Sequence, residues 1–216
     1  MPPTTRELAT GPGTGAVRIR PYRPADRMGV YDVCVRTADA GGDARGRWST
    51  DDLMPDLFAG PYVDLAPSMA FVLDDGERVV GYVLGTADTA GFVRAWRARW
   101  LPQLTGRYPA PPHPARTAED AMVALLYRPE RMLAPELAPW PAHLHIDLLP
   151  AVQGKGHGRA LIGTFLAAAA RAGAPAVHLG MDPANSGARA FYDRLGFTQV
   201  AVPSVEGVVF LGRPTT

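Results

Sequence analysis

The segment best suited to chemistry is the glycine-rich run QGKGHGRA at residues 153–160. Its glycines permit positive φ angles and the close approach of a ligand. A helix is predicted to begin within the run, and the free N–H groups and dipole at a helix start attract phosphate. The spacing fits neither a P-loop nor the Gly-x-Gly-x-x-Gly of dinucleotide-binding folds. We therefore predict a pyrophosphate site on this turn, the alternative being a tight turn that only connects two elements.

A second group of polar residues precedes this run, in the strand-like stretch HLHIDLL at residues 143–149. Strand alternation places His143, His145 and Asp147 on one face and the intervening leucine and isoleucine residues on the other. The His-x-His-x-Asp spacing also raises a zinc site, since alternate strand positions can present imidazole and carboxylate to one ion. Metallo-hydrolases with this spacing usually follow the aspartate with another histidine, whereas Leu148 follows here, so we expect no metal.

The elements that must position these groups follow from hydrophobic periodicity and from glycine and proline breaks. The predicted order is a strand, two helices, an antiparallel strand pair, an inserted arm, then strand, helix, strand, helix and two strands. The predicted strands are 17–22, 69–73, 78–86, 143–149, 176–180, 198–202 and 208–211; the helices are 24–36, one after 49–51, 159–171 and 185–195. The strands at 143–149 and 176–180 flank one helix, so we expect them to be parallel.

The inserted arm at about 90–141 carries two helical patterns separated by proline-rich stretches. Phe92, Trp96 and Trp100 recur at helical spacing and share one face. Such an aromatic stripe most often packs against the core, but an arm placed before the strand at 143–149 also borders a cleft there. We therefore consider Trp96, Trp100 and Tyr108 as candidate walls of a substrate site.

The composition of the chain limits the class of protein that it can form. The chain has 216 residues, 47% of them apolar, and a net charge of +1, which is typical of one globular domain and not of a disordered or nucleic-acid-binding chain. Residues 1–15 are expected to be a disordered tail, and 16–216 a single domain. One cysteine, no signal-like start and no long apolar run predict a cytoplasmic protein without a membrane span. A monomer and a homodimer both fit the sequence. Its basic residues are almost all arginine, which suggests a bacterial source.

Two motifs at a fixed spacing carry a family resemblance. The first is Gln-x-x-Gly-x-Gly, with Gln153, Gly156 and Gly158 in its fixed positions. The second is Asn-x-x-Ala-x-x-Phe-Tyr-x-x-Leu-Gly-Phe, which runs from Asn185 to Phe197. Together they resemble the GNAT superfamily of acetyl-CoA-dependent N-acetyltransferases. The HID sequence at 145–147, the long arm and the ending VVFLGR at 208–213 further resemble the C-terminal acetyltransferase-like domain of O-GlcNAcase and its free-standing bacterial relatives.

This resemblance implies an α/β fold of the GNAT type: a mixed, mostly antiparallel sheet with a central splayed parallel strand pair, flanked by helices. It also implies transfer of acetyl from acetyl-CoA to a primary amine by direct attack, with CoA as product and with an amine acceptor that is a small molecule or a peptide or protein lysine. The alternatives are a non-catalytic acetyl-CoA- or peptide-binding module of the same fold and, by analogy alone, acetyl-lysine or histone recognition.

The resemblance also assigns roles to residues. The coenzyme is expected to contact main-chain groups of Leu148 and Leu149, the loop residues Gln153, Gly154, Lys155, Gly156, His157, Gly158 and Arg159, and Asn185, Ala188 and Tyr192 of the second block. Lys155 and Arg159 are otherwise solvated surface charges.

Three residues are candidates for the proton transfers. Tyr192 is the candidate acid for the departing thiolate, or a packed aromatic. Asp147, also a candidate contact of the acceptor, is the first choice of base because burial raises a carboxyl pKa, and His145 or water is the alternative. The alternative is that Asp147 only fixes a neighbouring loop or histidine by hydrogen bonding.

Overall fold

The computed structural model describes residues 17–216, so the expected disordered tail lies outside the described residues. One seven-stranded sheet runs through the molecule in the order β1-β2-β3-β4-β5-β7-β6. The strands are β1 Arg18–Pro21, β2 Phe71–Asp74, β3 Val79–Thr86, β4 Ala142–Leu148, β5 Ala176–Met181, β6 Thr198–Val200 and β7 Val209–Pro214. All neighbouring strands pair antiparallel except β4 and β5, which are parallel. The predicted mixed α/β fold class is therefore confirmed.

The parallel pair is short. β4 and β5 pair only at Ala142 with Val177 and at His143 with His178. Beyond that point β4 continues for five residues without a partner on the β5 side, while β3 stays paired with it to Leu148. The two strands thus separate toward the C-terminal end of β4, which leaves one edge of β4 open.

Among residues 17–216, eight α-helices flank the sheet. They are α1 Arg27–Val35, α2 Leu53–Phe58, α3 Gly60–Leu65, α4 Thr89–Ala95, α5 Leu101–Leu104, α6 Ala118–Leu126, α7 His157–Arg171 and α8 Ser186–Asp193. The single helix predicted after residues 49–51 is in fact two helices, α2 and α3. The break falls at Ala59, and at the next residue, Gly60, a Cβ atom would lie 2.8 Å from the Trp100 ring. Close packing against the arm therefore requires glycine at this position.

The arm is part of the same core. A wider helical turn, Trp96–Trp100, joins α4 to α5, so the three segments form one continuous arm helix. Trp96 and Trp100 are 0% and 2% exposed. Their indole N–H groups donate to the carbonyls of Leu126 and Asp56, each at 3.0 Å. These bonds and the burial hold the arm helix against α2 and α6.

Candidate active site

A cleft of about 680 Å³ opens where β4 and β5 separate. Four segments line it: the end of β4, the glycine-rich loop before α7, helix α8, and the loop after α1, which contributes Thr37, Ala40 and Gly41. The residues of both sequence motifs thus meet at one place, although more than 30 residues separate Leu148 from Leu195 in the chain.

The glycine-rich loop forms one end of the cleft. Gly154 and Gly156 have φ angles of +73° and +84°, in the left-handed region, and Gly156 is the N-cap of α7. No atom lies within 4 Å of a Cβ placed at either glycine. The first intrahelical acceptor on this turn, the Gly156 carbonyl, is taken by Ala160, so the N–H groups of residues 157–159 remain free for an anion.

Three other features shape this end of the cleft. A Cβ at Gly158 would lie 3.1 Å from the Phe191 ring, which shows how closely α7 approaches α8. The Arg159 side chain lines the cleft, whereas Lys155 Nζ donates to the Ala151 carbonyl at 2.8 Å. Asn185 caps α8 by accepting the Ala188 N–H at 2.9 Å.

The hydrogen bonds at the end of β4 correct the expectation that the main chain of Leu149 contacts the coenzyme. Leu149 N–H donates to the Val80 carbonyl at 2.9 Å, and the Leu149 carbonyl accepts from Val152 at 3.0 Å, so neither group is available to a coenzyme. Because the ladder alternates, the main chain of Leu148 faces the gap instead. Its carbonyl accepts a 2.8 Å bond from Gln153 Nε2, which ties the loop to the strand end.

Asp147 lies on the cleft at the end of β4. It is directly across from Tyr82 on β3, and the Tyr82 hydroxyl donates to Asp147 Oδ2 at 2.6 Å. Burial raises the pKa of Asp147 to about 7, against the smaller lowering effects of the Tyr82 hydrogen bond and of the nearby Thr37 hydroxyl. A carboxyl group with this pKa exchanges protons at neutral pH, as a general base must.

Tyr192 reaches the same cleft from α8. Its ring is 8% exposed and packs edge-on against Phe191 and Phe197. Burial, and secondly the charge of Asp147, raise the pKa of the phenol above its ordinary value. Tyr192 therefore keeps its proton at neutral pH, in the form a proton donor needs.

His145 lies on the same face as Asp147, two residues back along β4, and does not line the cleft. Its Nε2 is 3.0 Å from the Tyr62 hydroxyl. Burial, and then the nearby Arg131 charge, lower its pKa to about 4. At neutral pH His145 is an uncharged imidazole and a weak base, which favours Asp147 of the two candidates.

The structure corrects the prediction that residues of the arm form walls of a substrate site. Trp96, Trp100 and Tyr108 are all buried, and none of them lines the cleft. The Tyr108 hydroxyl donates to Asp56 Oδ2 at 3.0 Å, deep in the helical layer. The aromatic stripe packs into the core because its indole and phenol groups find polar partners there.

Sequence reasoning also missed two residues that contact the candidate site, Tyr62 and Tyr82. Tyr82 sits in a strand whose residues are all buried, so its sequence pattern carries no mark of function. Only the β3–β4 register places it against Asp147. No local signal predicts the contact of Tyr62 on α3 with the β4 histidines.

A mixed sheet whose two parallel strands separate, followed by a glycine-rich turn into a helix, is the arrangement that the GNAT resemblance implied. Residues 43–197 match the acetyltransferase (GNAT) family. The chain therefore belongs to this family, as the two motifs predicted.

Curated relatives support the narrower resemblance. The chain is 28% identical over 208 residues to protein O-GlcNAcase from Rattus norvegicus, a match that covers 94% of this chain and 22% of that protein. The same protein from Mus musculus matches equally. The chain thus spans about a fifth of the length of these relatives.

Solved structures agree on the fold. The protein in a crystal structure of SsHAT is 59% identical to this chain. The match covers 93% of this chain and 98% of that one, with a TM-score of 0.89. A structure of yncA from Salmonella typhimurium, which contains acetyl-CoA, has 18% sequence identity to this chain and a TM-score of 0.52. The match covers 93% of this chain and 95% of that one.

No helix among residues 17–216 is both long and apolar enough to cross a bilayer.

Proposed function

We propose that this protein is an acetyl-CoA-dependent N-acetyltransferase that acetylates a primary amine by direct attack. The observation that carries this proposal is the composition of one cleft. It joins a phosphate-binding helix start at residues 156–159 to a carboxyl–phenol pair, Asp147 and Tyr192. Amine acetylation needs these two functions together, a grip on a phosphorylated donor and proton transfers at its reactive end.

The described residues fit the donor. The open space at Gly154 and Gly156 and the free N–H groups before Ala160 suit a pyrophosphate, and Arg159 adds positive charge on the same wall. The open edge of β4 at Leu148 offers main-chain groups to an amide-containing arm such as pantetheine. When bound, acetyl-CoA supplies an acyl carbon activated by its thioester.

The residues then divide the proton transfers. The Asp147 carboxylate takes a proton from the bound ammonium, and the freed lone pair attacks the acyl carbon. As the carbon–sulfur bond breaks, Tyr192 gives its proton to the sulfur and recovers one from the nitrogen that has become bonded to carbon. The products are an amide and CoA, and Asp147 returns its proton to water.

Calorimetric titration with acetyl-CoA, CoA and NADH tests the donor site, with Gly156→Glu as the variant that blocks it by adding a charge and a side chain. We expect saturable binding of acetyl-CoA and CoA by the parent, no binding of NADH, and loss of binding in the variant. Saturation by NADH or equal binding by the variant would contradict the phosphate cradle.

Release of CoA thiol in the presence of n-propylamine, glucosamine and a lysine-containing peptide tests the reaction. We expect turnover with at least one amine and its loss in Asp147→Asn, with acetyl-CoA affinity retained. Donor binding without turnover on any amine would replace the enzyme with a non-catalytic coenzyme-binding module.

A further inference from the structure

Four side chains form a continuous hydrogen-bond chain on the face of β4 that carries Asp147. Thr89 Oγ1 lies 2.7 Å from His143 Nδ1, His143 Nε2 lies 2.9 Å from the Tyr62 hydroxyl, and that hydroxyl lies 3.0 Å from His145 Nε2. Thr89, His143 and Tyr62 are buried, with exposed fractions of 6%, 5% and 1%. No bulk water is available to these three groups, so each must satisfy its polar atoms within the chain.

The direction of this chain is fixed at one end by a group that can only accept. Thr89 Oγ1 lies 2.8 Å from the Pro141 carbonyl, and a carbonyl oxygen has no proton to give. The single hydroxyl proton of Thr89 is therefore used on Pro141. Toward His143, Thr89 Oγ1 accepts, so His143 carries its proton on Nδ1.

The remaining links follow in order. Burial, and then the neighbouring His178, His145 and Arg131, hold the pKa of His143 well below its ordinary value, so its ring is neutral and Nε2 has a lone pair. The Tyr62 hydroxyl donates to that lone pair. The Tyr62 oxygen is then free to accept, and the 3.0 Å contact makes His145 the donor through Nε2–H.

A neutral imidazole has one protonated nitrogen, so His145 Nδ1 must carry a lone pair. Among residues 17–216 this atom has no hydrogen-bond partner, yet it is not shut off from solvent, and it lies beside the cleft-lining Asp147 although His145 itself is not one of the lining residues. His145 and Asp147 are two residues apart on one strand face, a separation of about 6.6 Å along the strand. A primary ammonium has three N–H donors, enough to bond both groups at once.

We propose that Thr89, His143 and Tyr62 lock His145 in its Nε2–H tautomer, so that Nδ1 accepts an N–H of the amine and directs it to Asp147. His145 is then a specificity-determining residue that selects acceptors with a spare N–H donor, and the other three are positioning residues. This role rests on the proposed function, whereas the tautomer lock itself does not.

The charges around His145 keep it in the accepting form. On its own strand it faces neutral His143 and Asp147, from α3 it meets Tyr62, from β5 His178, and from the segment after α6 the guanidinium of Arg131. Arg131 and burial disfavour a second proton on the ring, and the pKa of about 4 leaves His145 neutral throughout the range where Asp147 titrates.

Long-range ¹H–¹⁵N spectra of imidazole nitrogens test the lock on the intact protein without any substrate. We expect His145 as the Nε2–H tautomer and His143 as Nδ1–H. The spectrum contains its own control, because His178 Nδ1 lies 2.7 Å from the Trp140 carbonyl and must also be Nδ1–H. An Nδ1–H signal at His145 would overturn the proposal.

A substitution of Thr89, at the end of the hydrogen-bond chain opposite His145, gives a second test of the lock. Thr89→Val keeps the side-chain shape but removes the acceptor for His143 Nδ1–H, so both His143 and His145 should become tautomer mixtures. Thr89→Ser keeps the hydroxyl and should preserve the parent spectrum. A His145 signal that stays wholly Nε2–H in Thr89→Val would show that no lock exists.

Kinetics with n-propylamine test the acceptor role. Thr89→Val should raise the acceptor KM about twofold, because an even tautomer mixture leaves about half of the protein able to accept the amine N–H, with the acetyl-CoA KM unchanged and Thr89→Ser equal to the parent. An unchanged acceptor KM despite altered tautomers would refute the role. Should the parent show no turnover, titration with n-propylamine followed at His145 Nδ1 decides the same point, and the absence of turnover would count against the proposed function alone.

Discussion

The raised pKa of Asp147 has a consequence for stability that needs no substrate. Burial raises this pKa from 3.8 to about 7, so the native protein holds the proton more tightly than the unfolded chain. Between about pH 4 and pH 7 the unfolded chain has released this proton and the native protein has not. The Asp147 contribution to the free energy of unfolding therefore falls as pH rises through this window, and the loss is complete above pH 7.

The size follows from the width of the window. About three pH units at about 1.4 kcal/mol each give about 4 kcal/mol, an upper limit because the cleft admits water near the carboxyl group. Asp147→Asn keeps an acceptor for Tyr82 but has no proton to release. Relative to the parent, this variant should gain up to about 4 kcal/mol of unfolding free energy between pH 4 and pH 8.

Urea unfolding at several pH values between 4 and 8, followed by the fluorescence of buried Trp96 and Trp100, measures this difference. Glu206→Gln removes one exposed carboxyl group and corrects for the effect of net charge. The reasoning is wrong if the difference between Asp147→Asn and the parent stays flat to within about 0.5 kcal/mol across the range, because the carboxyl group would then titrate normally.

Three further predictions concern single side chains. Tyr82→Phe removes the hydrogen bond that lowers the Asp147 pKa, so the acidic limb of kcat/KM should move to higher pH, and an unmoved or lower limb would contradict this link. Tyr192→Phe should reduce kcat about 100-fold with acetyl-CoA affinity within about twofold, and parental kcat would exclude the acid role. Gly156→Ala should lower the free energy of unfolding by about 1 kcal/mol, because the φ angle of Gly156 is +84°. Gly163→Ala, in the middle of α7, should raise the free energy of unfolding. Equal effects of the two substitutions would refute the strain argument.

Local patterns predicted the elements that hold the cleft because each one is determined within a few residues. The alternation in HLHIDLL predicts β4, and the glycines before a helical pattern predict the turn into α7. Strands β2 and β3 pair antiparallel and are joined by a turn that contains Asp75 and Gly76, and the sequence also indicates this turn.

Contacts between distant segments could not be predicted in this way. That Tyr82 faces Asp147 depends on the register of two strands separated by the whole arm. The burial of Trp96 depends on α6 supplying the Leu126 carbonyl, since a helical stripe shows which face is apolar but not what covers it. The Leu148 N–H, which faces the open edge of β4, and the Leu149 N–H, which donates to Val80, differ only through their places in the β3 ladder.

The buried arm has a consequence for how an acceptor is chosen. Phe92 on α4 stacks on Tyr62 with ring centres 4.6 Å apart, and Tyr62 in turn contacts both β4 histidines. The arm is therefore linked to the β4 histidines through Tyr62 and does not form a wall of the cleft. Under the proposed function, discrimination between amines is then expected from the cleft-lining loop after α1, where Thr37 stands beside Asp147, and from His145, two residues from Asp147 on β4. Exchanges in that loop should change acceptor preference, whereas exchanges of Trp96 should change stability first.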